Sequence, residues 1–169
     1  SIRSFCETIG VSRGDGVIDA SVLEAAVRDD LNDSAPRAMC VMDPLKLVIT
    51  NYPEDKLEQL RAAGHPNRDD LAERILPFTR ELYIEKEDFR EEANKKYKRL
   101  VLGKRVRLRN AYVIEATNAV KNDRGEVVEV HCTYDADTLG DNPADGIKPK
   151  GVIHWVSASH GKQALVRQY

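Results

Sequence analysis

The 169 residues are 41% hydrophobic and 32% charged, enough apolar content for one or two packed domains, which excludes a disordered chain. No apolar run approaches the roughly 20 residues needed to cross a bilayer, and Ser1-Ile2-Arg3-Ser4-Phe5 lacks the basic-then-apolar layout of a secretion signal. A net charge of −2 excludes a uniformly basic surface, and three well-separated cysteines, Cys6, Cys40 and Cys132, imply no disulfide framework, so the chain is expected in a reducing cytoplasm.

The first predicted element is a helix over residues 2–9. Ile2, Phe5, Cys6 and Ile9 recur at helical spacing, and Gly10 stands where a helix stops. A second helix opens at Ser21, where Glu24 completes a capping box and Leu23, Val27 and Leu31 line the buried face. Pro36 forces the residue before it into an extended conformation. Met39, Val41, Leu45, Leu47 and Ile49 then predict strands interrupted at Asp43-Pro44. Residues 53–75 are charged and ambiguous, with 53–63 readable as a short helix ended by Gly64.

Beyond Pro77 the pattern is mostly β. Leu82 and Ile84 alternate with polar neighbours, while residues 87–96 are rich in helix formers and read as a helix. Val106, Leu108, Ala111, Val113 and Val120 mark strands, and Asn122-Asp123-Arg124-Gly125 is a hairpin turn leading into a strand at 127–133. Residues 151–157 form a last strand carrying the only tryptophan. Short strands separated by turn signals predict a small antiparallel barrel, so the fold class is mainly β with N-terminal helices (α+β).

The densest chemistry lies in a basic run: Lys95, Lys96, Lys98, Arg99, Lys104, Arg105, Arg107 and Arg109, with no acidic residue among them. Strand alternation in Arg105-Val106-Arg107-Leu108-Arg109 puts the arginines on one face and Val106 and Leu108 on the other. Guanidinium groups projecting together need anions to meet them. Their planar forks suit phosphate and base edges. Tyr97, beside Lys98 and Arg99, is an aromatic platform of the kind that stacks bases. The alternative is a solvated strand face whose partners come from the acidic residues Glu85, Glu87, Asp88, Glu91 and Glu92 just before it.

Other constellations carry less. Residues 135–141 resemble a calcium loop, but Leu139 and Gly146 stand where oxygen ligands belong. His131, Cys132, His154 and His160 fall into no zinc-ligand spacing, and Ser157 and Ser159 near His160 lack a nucleophile elbow. No glycine loop of the phosphate-cradling type occurs, and no complete catalytic site is visible.

Three blocks carry a resemblance. The first is Leu31-Asn32-Asp33-Ser34-Ala35-Pro36-Arg37-Ala38-Met39 with Val41-Met42-Asp43-Pro44-Leu45-Lys46-Leu47-Val48. The second is Asp88-Phe89-Arg90-Glu91-Glu92-Ala93-Asn94-Lys95-Lys96-Tyr97-Lys98-Arg99-Leu100, running on through Val106-Arg107-Leu108-Arg109-Asn110-Ala111-Tyr112. The third is Cys132-Thr133-Tyr134-Asp135-Ala136-Asp137-Thr138-Leu139 with Gly151-Val152-Ile153-His154-Trp155-Val156-Ser157. Together they closely resemble the glutaminyl-tRNA synthetases, over nearly the whole chain and least at residues 54–75.

The resemblance implies a helical connector at 1–36, the first strands of a connector-proximal barrel and a linker at 37–75, an anticodon-binding β-barrel at 76–150, and a return strand at 151–169 toward a second barrel only partly present. It implies a class I, ATP- and magnesium-dependent ligase that joins glutamine to tRNA-Gln, monomeric, with no cofactor bound by this segment. The HIGH-like and KMSKS-like motifs of the catalytic half are not in the sequence, and Arg167-Gln168-Tyr169 stops where the family chain would return to its proximal barrel. Residue by residue, Arg37 sits where an arginine reads the middle anticodon base. Lys98 and Arg99 match residues contacting bases and phosphates, and Arg107 and Arg109 match the strand facing the first anticodon position. Lys96 replaces a glutamine, and an ammonium that only donates fits a phosphate contact. Cys6 and Cys40 are implied to be apolar packing residues. The glutamyl enzyme and a free-standing barrel that binds ribosomal RNA remain as alternatives.

Overall fold

The computed structural model describes residues 1–11 and 13–167; the predicted chain end at Gln168-Tyr169 lies outside them. They divide into two compact units, one of Ser1–Ala38 with Ala63–Ala72, the other of Met39–Ala62 with the chain from Glu73 onward.

In the first unit, α1 (Ile2–Ile9) packs on α2 (Ala20–Ser34). Gly10 ends α1 at φ 68°, a left-handed conformation that glycine takes without strain, and its N–H closes on the Cys6 carbonyl at 3.1 Å. The expected capping box at Ser21 does not form. The helix opens one residue earlier, and Asp19, extended at its N-cap, accepts from the Ser21 N–H at 2.8 Å. Nor is the face of Leu23, Val27 and Leu31 buried: they are 40%, 37% and 51% exposed. A helix pair with no further layer has one line of contact and leaves the rest of each apolar stripe in water. Cys6, on that same pair, and Cys40, in the irregular stretch before the first strand, are both exposed, so neither is a packing residue. The loop 63–72 is fixed by a buried histidine: the Asn67 N–H donates to His65 Nδ1 at 3.0 Å, which leaves Nε2 to donate to the Asn32 carbonyl at 2.7 Å. A side chain on Gly64 would lie 2.4 Å from the Ala72 carbonyl, so only glycine fits there.

The second unit opens with β1 (Pro44–Ile49), β2 (Glu58–Ala62), β3 (Arg74–Phe78) and β4 (Glu81–Glu85). Two short strands follow, β5 (Phe89–Arg90) and β6 (Leu100–Val101), then β7 (Arg105–Leu108), β8 (Val113–Lys121), β9 (Val127–Asp135), β10 (Val152–Ile153) and β11 (Val156–Ser157). The helix expected at 53–63 is instead β2, paired antiparallel with β3 from Glu58↔Phe78 to Ala62↔Arg74. Leu60 and Ala62 point inward while Gln59 and Arg61 point out, a period of two that pairing imposes over helix-forming composition. The helix expected at 87–96 is replaced by a single 3-10 turn, Lys86–Asp88, followed by β5 pairing with β6. Burying Phe89 against the unit outweighs the weak local propensity. No strand forms before Pro44, so the expected strand at Met39 and Val41 is absent among the described residues.

The main sheet has the order β10-β7-β8-β9-β1-β4-β11. Its two outermost strands are separated in sequence only by His154 and Trp155. One chain segment therefore hydrogen-bonds to both edges, and the sheet curls until they meet. The expected single strand at 151–157 is thus broken in two, with β10 parallel to β7 and β11 antiparallel to β4. The sheet is mixed, since β1 also runs parallel to β9. Trp155, 1% exposed, plugs the seam and donates its indole N–H to the Arg109 carbonyl at 2.9 Å. Phe78 meets Trp155 and Tyr112 edge to face at 5.2 and 5.3 Å, and Tyr52, Tyr112 and Tyr134 extend the cluster. Cys132 is fully enclosed, and burial pushes its thiol well above the usual range.

Candidate nucleic-acid interface

The alternation read in β7 is present: Val106 and Leu108 are fully buried, while Arg105 and Arg107 are half-exposed. The three arginines do not project together, however. Arg105 faces Glu115 across the β7–β8 pair and donates to it at 3.0 Å, and to Asp145 at 2.5 Å. Those two carboxylates, Asp145 first, push the Arg105 guanidinium above its ordinary value. Arg107 turns into the loop after β9 and donates to the carbonyls of Ala111 (3.2 Å), Thr138 (2.7 Å) and Asp141. Its charge is spent on holding backbone.

Arg109 lies one residue beyond β7 and is exposed. Its backbone is pinned from both sides: its N–H donates to the Ile153 carbonyl at 3.0 Å, and its own carbonyl accepts from Trp155. Asn110, at φ 57°, turns the chain back so that the Ala111 N–H reaches the Leu108 carbonyl at 2.9 Å. Among the described residues no carboxylate pairs with the Arg109 guanidinium. Its field is felt by His154, which burial first and the Arg109 charge next hold below its ordinary value, with Asp88 opposing.

Lys96 and Lys98 are exposed on the loop between β5 and β6, and neither ammonium has an ion pair among the described residues. That loop is shaped by Asn94, whose side chain accepts from the Lys96 N–H at 3.0 Å. It is also shaped by Gly151, where a Cβ would lie 1.8 Å from the Lys98 carbonyl. Arg99 forms an ion pair with the buried Asp88, Nε to carboxylate oxygen at 2.8 Å, so one member of the preceding acidic run does supply a partner. Burial pushes the Asp88 carboxyl up and Arg99 opposes it. Glu85 serves elsewhere, accepting from the Met42 and Asp43 N–H groups at 2.7 and 3.0 Å. Tyr97 is not an open platform: Arg90 covers one ring face at 4.5 Å and its hydroxyl donates to the Glu87 carbonyl at 2.7 Å. Arg37 belongs to the first unit, where its guanidinium donates to the Asn32 carbonyl at 2.7 Å and its N–H to Gly64 at 2.8 Å.

The structure also holds a residue that the sequence did not single out. Arg74, in the ambiguous stretch 53–75, has a buried Nε with no partner. Only the β2–β3 pairing gives that position meaning. The partners of Arg105 were within reach of a register argument, because Glu115 follows from the β7–β8 turn. Among the described residues no three His, Cys, Asp or Glu side chains gather where a metal ion could be held. Asp135 and Asp145 each accept through Oδ1 from the Asp137 and Ile147 N–H groups, and the other Asp145 oxygen is taken by Arg105. Ser159 meets His160 Nδ1 at 2.9 Å, with Ser157 at 3.3 Å from Ser159, but the cluster has no carboxylate to orient the ring.

Residues 35–135 match the family described as tRNA synthetases class I (E and Q), anti-codon binding domain. Over all 169 residues the chain is 60% identical to the glutamine–tRNA ligase of Pseudoalteromonas atlantica. It is 61% identical to that of Colwellia psychrerythraea and 60% to that of Aliivibrio fischeri. It spans 30%, 30% and 31% of the length of these relatives.

Proposed function

The chain belongs to the anticodon-binding domain family of the class I E and Q tRNA synthetases, and from that premise we propose that it reads the anticodon loop of tRNA-Gln as part of a cytoplasmic, monomeric glutamine–tRNA ligase. In that ligase the reaction joins glutamine to its tRNA at the expense of ATP, in a part of the enzyme distinct from this one. The observation that carries the reading is Arg109: an exposed guanidinium without a partner among the described residues, on a backbone fixed from both sides. A rigid fork with free donors suits the edge of a splayed base, and the exposed Lys96 and Lys98 on the β5–β6 loop suit the RNA backbone.

Splaying loop bases costs a few kilocalories per mole, which base-edge and phosphate contacts offset. A wrong base leaves donors unpaired at roughly 1–3 kcal/mol each, which is the source of discrimination. In this reading Arg109 faces the first anticodon position, with Arg107 bracing the loop beside it. Arg37 reads the middle base, Lys98 and Arg99 contact bases and phosphates, and Lys96 contacts phosphate. Residues 1–36 act as the connector through which docking is felt elsewhere in the enzyme, and 76–150 as the reader, with 37–75 and 151–169 contributing to a proximal barrel.

Filter binding separates the readings. The chain is expected to bind tRNA-Gln, to lose affinity when any anticodon base is changed, and to bind tRNA-Glu or a ribosomal RNA fragment more weakly. Equal affinity for all three RNAs would overturn it.

A further inference from the structure

β10 runs parallel to β7, with Val152 opposite Arg107 and Ile153 opposite Leu108. Hydrogen bonds carry that register one residue past both strands. The Arg109 N–H donates to the Ile153 carbonyl at 3.0 Å, and the Arg109 carbonyl accepts from the Trp155 indole at 2.9 Å. Arg109 therefore brackets residue 154 as a residue brackets its partner in a parallel ladder, with the indole N–H standing in for a backbone one. Residues opposed in a ladder share a face, on strands about 4.8 Å apart. Leu108 and Ile153 both point into the core, at 0% and 1% exposed, so Arg109 and His154 both point outward, side by side.

The His154 ring is also held open. Of the four histidines, His65 is bonded to Asn32 and Asn67, His131 to Glu129 and His160 to Ser159. His154 is exposed, and among the described residues its ring has no hydrogen-bond or ion-pair partner. Its backbone is fixed, because the residues on either side, Ile153 and Trp155, are each 1% exposed. Other rings are not available in this way. Tyr97 is covered by Arg90, and Tyr52, Phe78, Phe89, Tyr112 and Trp155 are buried. Burial first and the Arg109 charge next hold His154 below its ordinary 6.5, so the ring is neutral at pH 7. A neutral imidazole gives up less hydration than an imidazolium when a flat group covers it.

We propose that His154 is the stacking platform for the splayed base that Arg109 reads, with the imidazole against the face of the base and the guanidinium at its edge. This rests on the RNA-reading function above. Splayed RNA bases are commonly stacked on aromatic side chains, histidine included, and every base has a π-face to offer. His154 then contributes affinity without sequence information, while Arg109 discriminates.

The test compares wild type with His154→Ala, His154→Phe, which keeps a ring, and His154→Gln, which keeps hydrogen bonding without one. Each is titrated with the anticodon stem-loop of tRNA-Gln, with loops changed at the first anticodon base, and with loops made abasic at each anticodon position in turn. His154→Ala is expected to melt at the wild-type Tm, since its side chain has no internal bond to lose. It should bind cognate and first-base-variant loops about tenfold more weakly alike, with an unchanged salt slope. His154→Phe is expected to restore the affinity and His154→Gln to leave it low. With the first position abasic, wild type and His154→Ala should bind equally, and with either other position abasic the tenfold gap should remain. Wild-type affinity in His154→Ala, recovery by His154→Gln but not His154→Phe, or a gap that survives the abasic first position overturns the platform, while wild-type anticodon preference still upholds the reader. Absence of that preference in wild type overturns the reader and the platform with it.

Discussion

The Tyr112 hydroxyl donates to the Glu58 carboxylate at 2.8 Å, joining the β2–β3 hairpin to the turn that carries Arg109 three residues earlier. Tyr52 donates to the same carboxylate at 3.0 Å, and the Lys56 ammonium lies 3.2 Å away. Glu58 is therefore a joint between the strand pair on which Arg74 stands and the wall on which Arg109 stands.

Removing that joint is expected to cost stability. Glu58→Ala leaves two partly buried hydroxyls without an acceptor, a loss of about 2 kcal/mol, read as a lower urea midpoint. The pH dependence has a definite sign. Burial raises the Glu58 carboxyl, but the bonds from Tyr112, Lys56 and Tyr52 outweigh it and hold the pKa below the ordinary 4.5. A depressed carboxyl contributes stability that is complete above the unfolded value and lost as pH falls through the folded one. Wild type should weaken below pH 4.5, and Glu58→Gln should weaken less over that range. Parallel pH profiles for the two proteins would contradict the assignment.

Arg107 and Arg109 share a strand face in the sequence but should behave differently when removed. Arg107→Ala strips three carbonyls of their donor and is expected to lower stability by about 2 kcal/mol, with faster amide exchange over residues 138–141. Arg109→Ala breaks no internal bond of its side chain, so its Tm should stay at the wild-type value. Its effect should appear in RNA binding, as a loss of about 1–3 kcal/mol for the cognate loop and relaxed choice at the first anticodon position. Stability loss in Arg109→Ala with discrimination intact would reverse the two roles.

That contrast marks how far the sequence could be read. Alternation in residues 105–108 gave the buried side correctly, because Val106 and Leu108 have nowhere to go but the core. It could not tell which arginine is free, because that depends on partners brought in by the fold: Glu115 from the next strand, Asp145 and the Thr138 carbonyl from a distant loop. The helices read at 53–63 and 87–96 failed for the same reason. Their residues favour helix locally, yet β2 and β5 are defined by pairing with β3 and β6, which no local window contains. The first helix and the 122–125 hairpin turn were legible because spacing and turn chemistry alone decide them.

Lys96 and Lys98 should act as charges rather than readers. Both are exposed and unpaired among the described residues, and neither lies on a braced strand. Lys96→Ala is expected to weaken cognate and non-cognate loops alike, lowering the slope of log affinity against log salt by about one. Lys98→Ala should do the same and in addition lose part of the cognate preference, in keeping with a contact that reaches a base. A Lys96→Ala variant with unchanged salt dependence would remove that residue from the interface.

Gly151 offers a test of placement without any change of charge. Its own φ is not in the left-handed region, so an alanine there is tolerable to the backbone; the difficulty is space. A Cβ would sit 1.8 Å from the Lys98 oxygen and 2.9 Å from the Lys98 carbonyl carbon, a backbone neighbour with no rotamer to change. The glycine cannot readily retreat, because its carbonyl accepts from the Arg107 N–H at 3.1 Å and anchors the edge where the curled sheet closes. Lys98 must therefore yield, carrying Arg99 and its ion pair with Asp88 along. Gly151→Ala is expected to lower stability by about 1–3 kcal/mol, as overpacking does. It should also weaken RNA binding several-fold at fixed net charge, most visibly where Lys98 and Arg99 make contact. Thermal melts and stem-loop titrations on the same preparation separate the two effects. An alanine variant with wild-type Tm and wild-type affinity would show that the Lys98 loop moves aside freely and that its position does not matter to the interface.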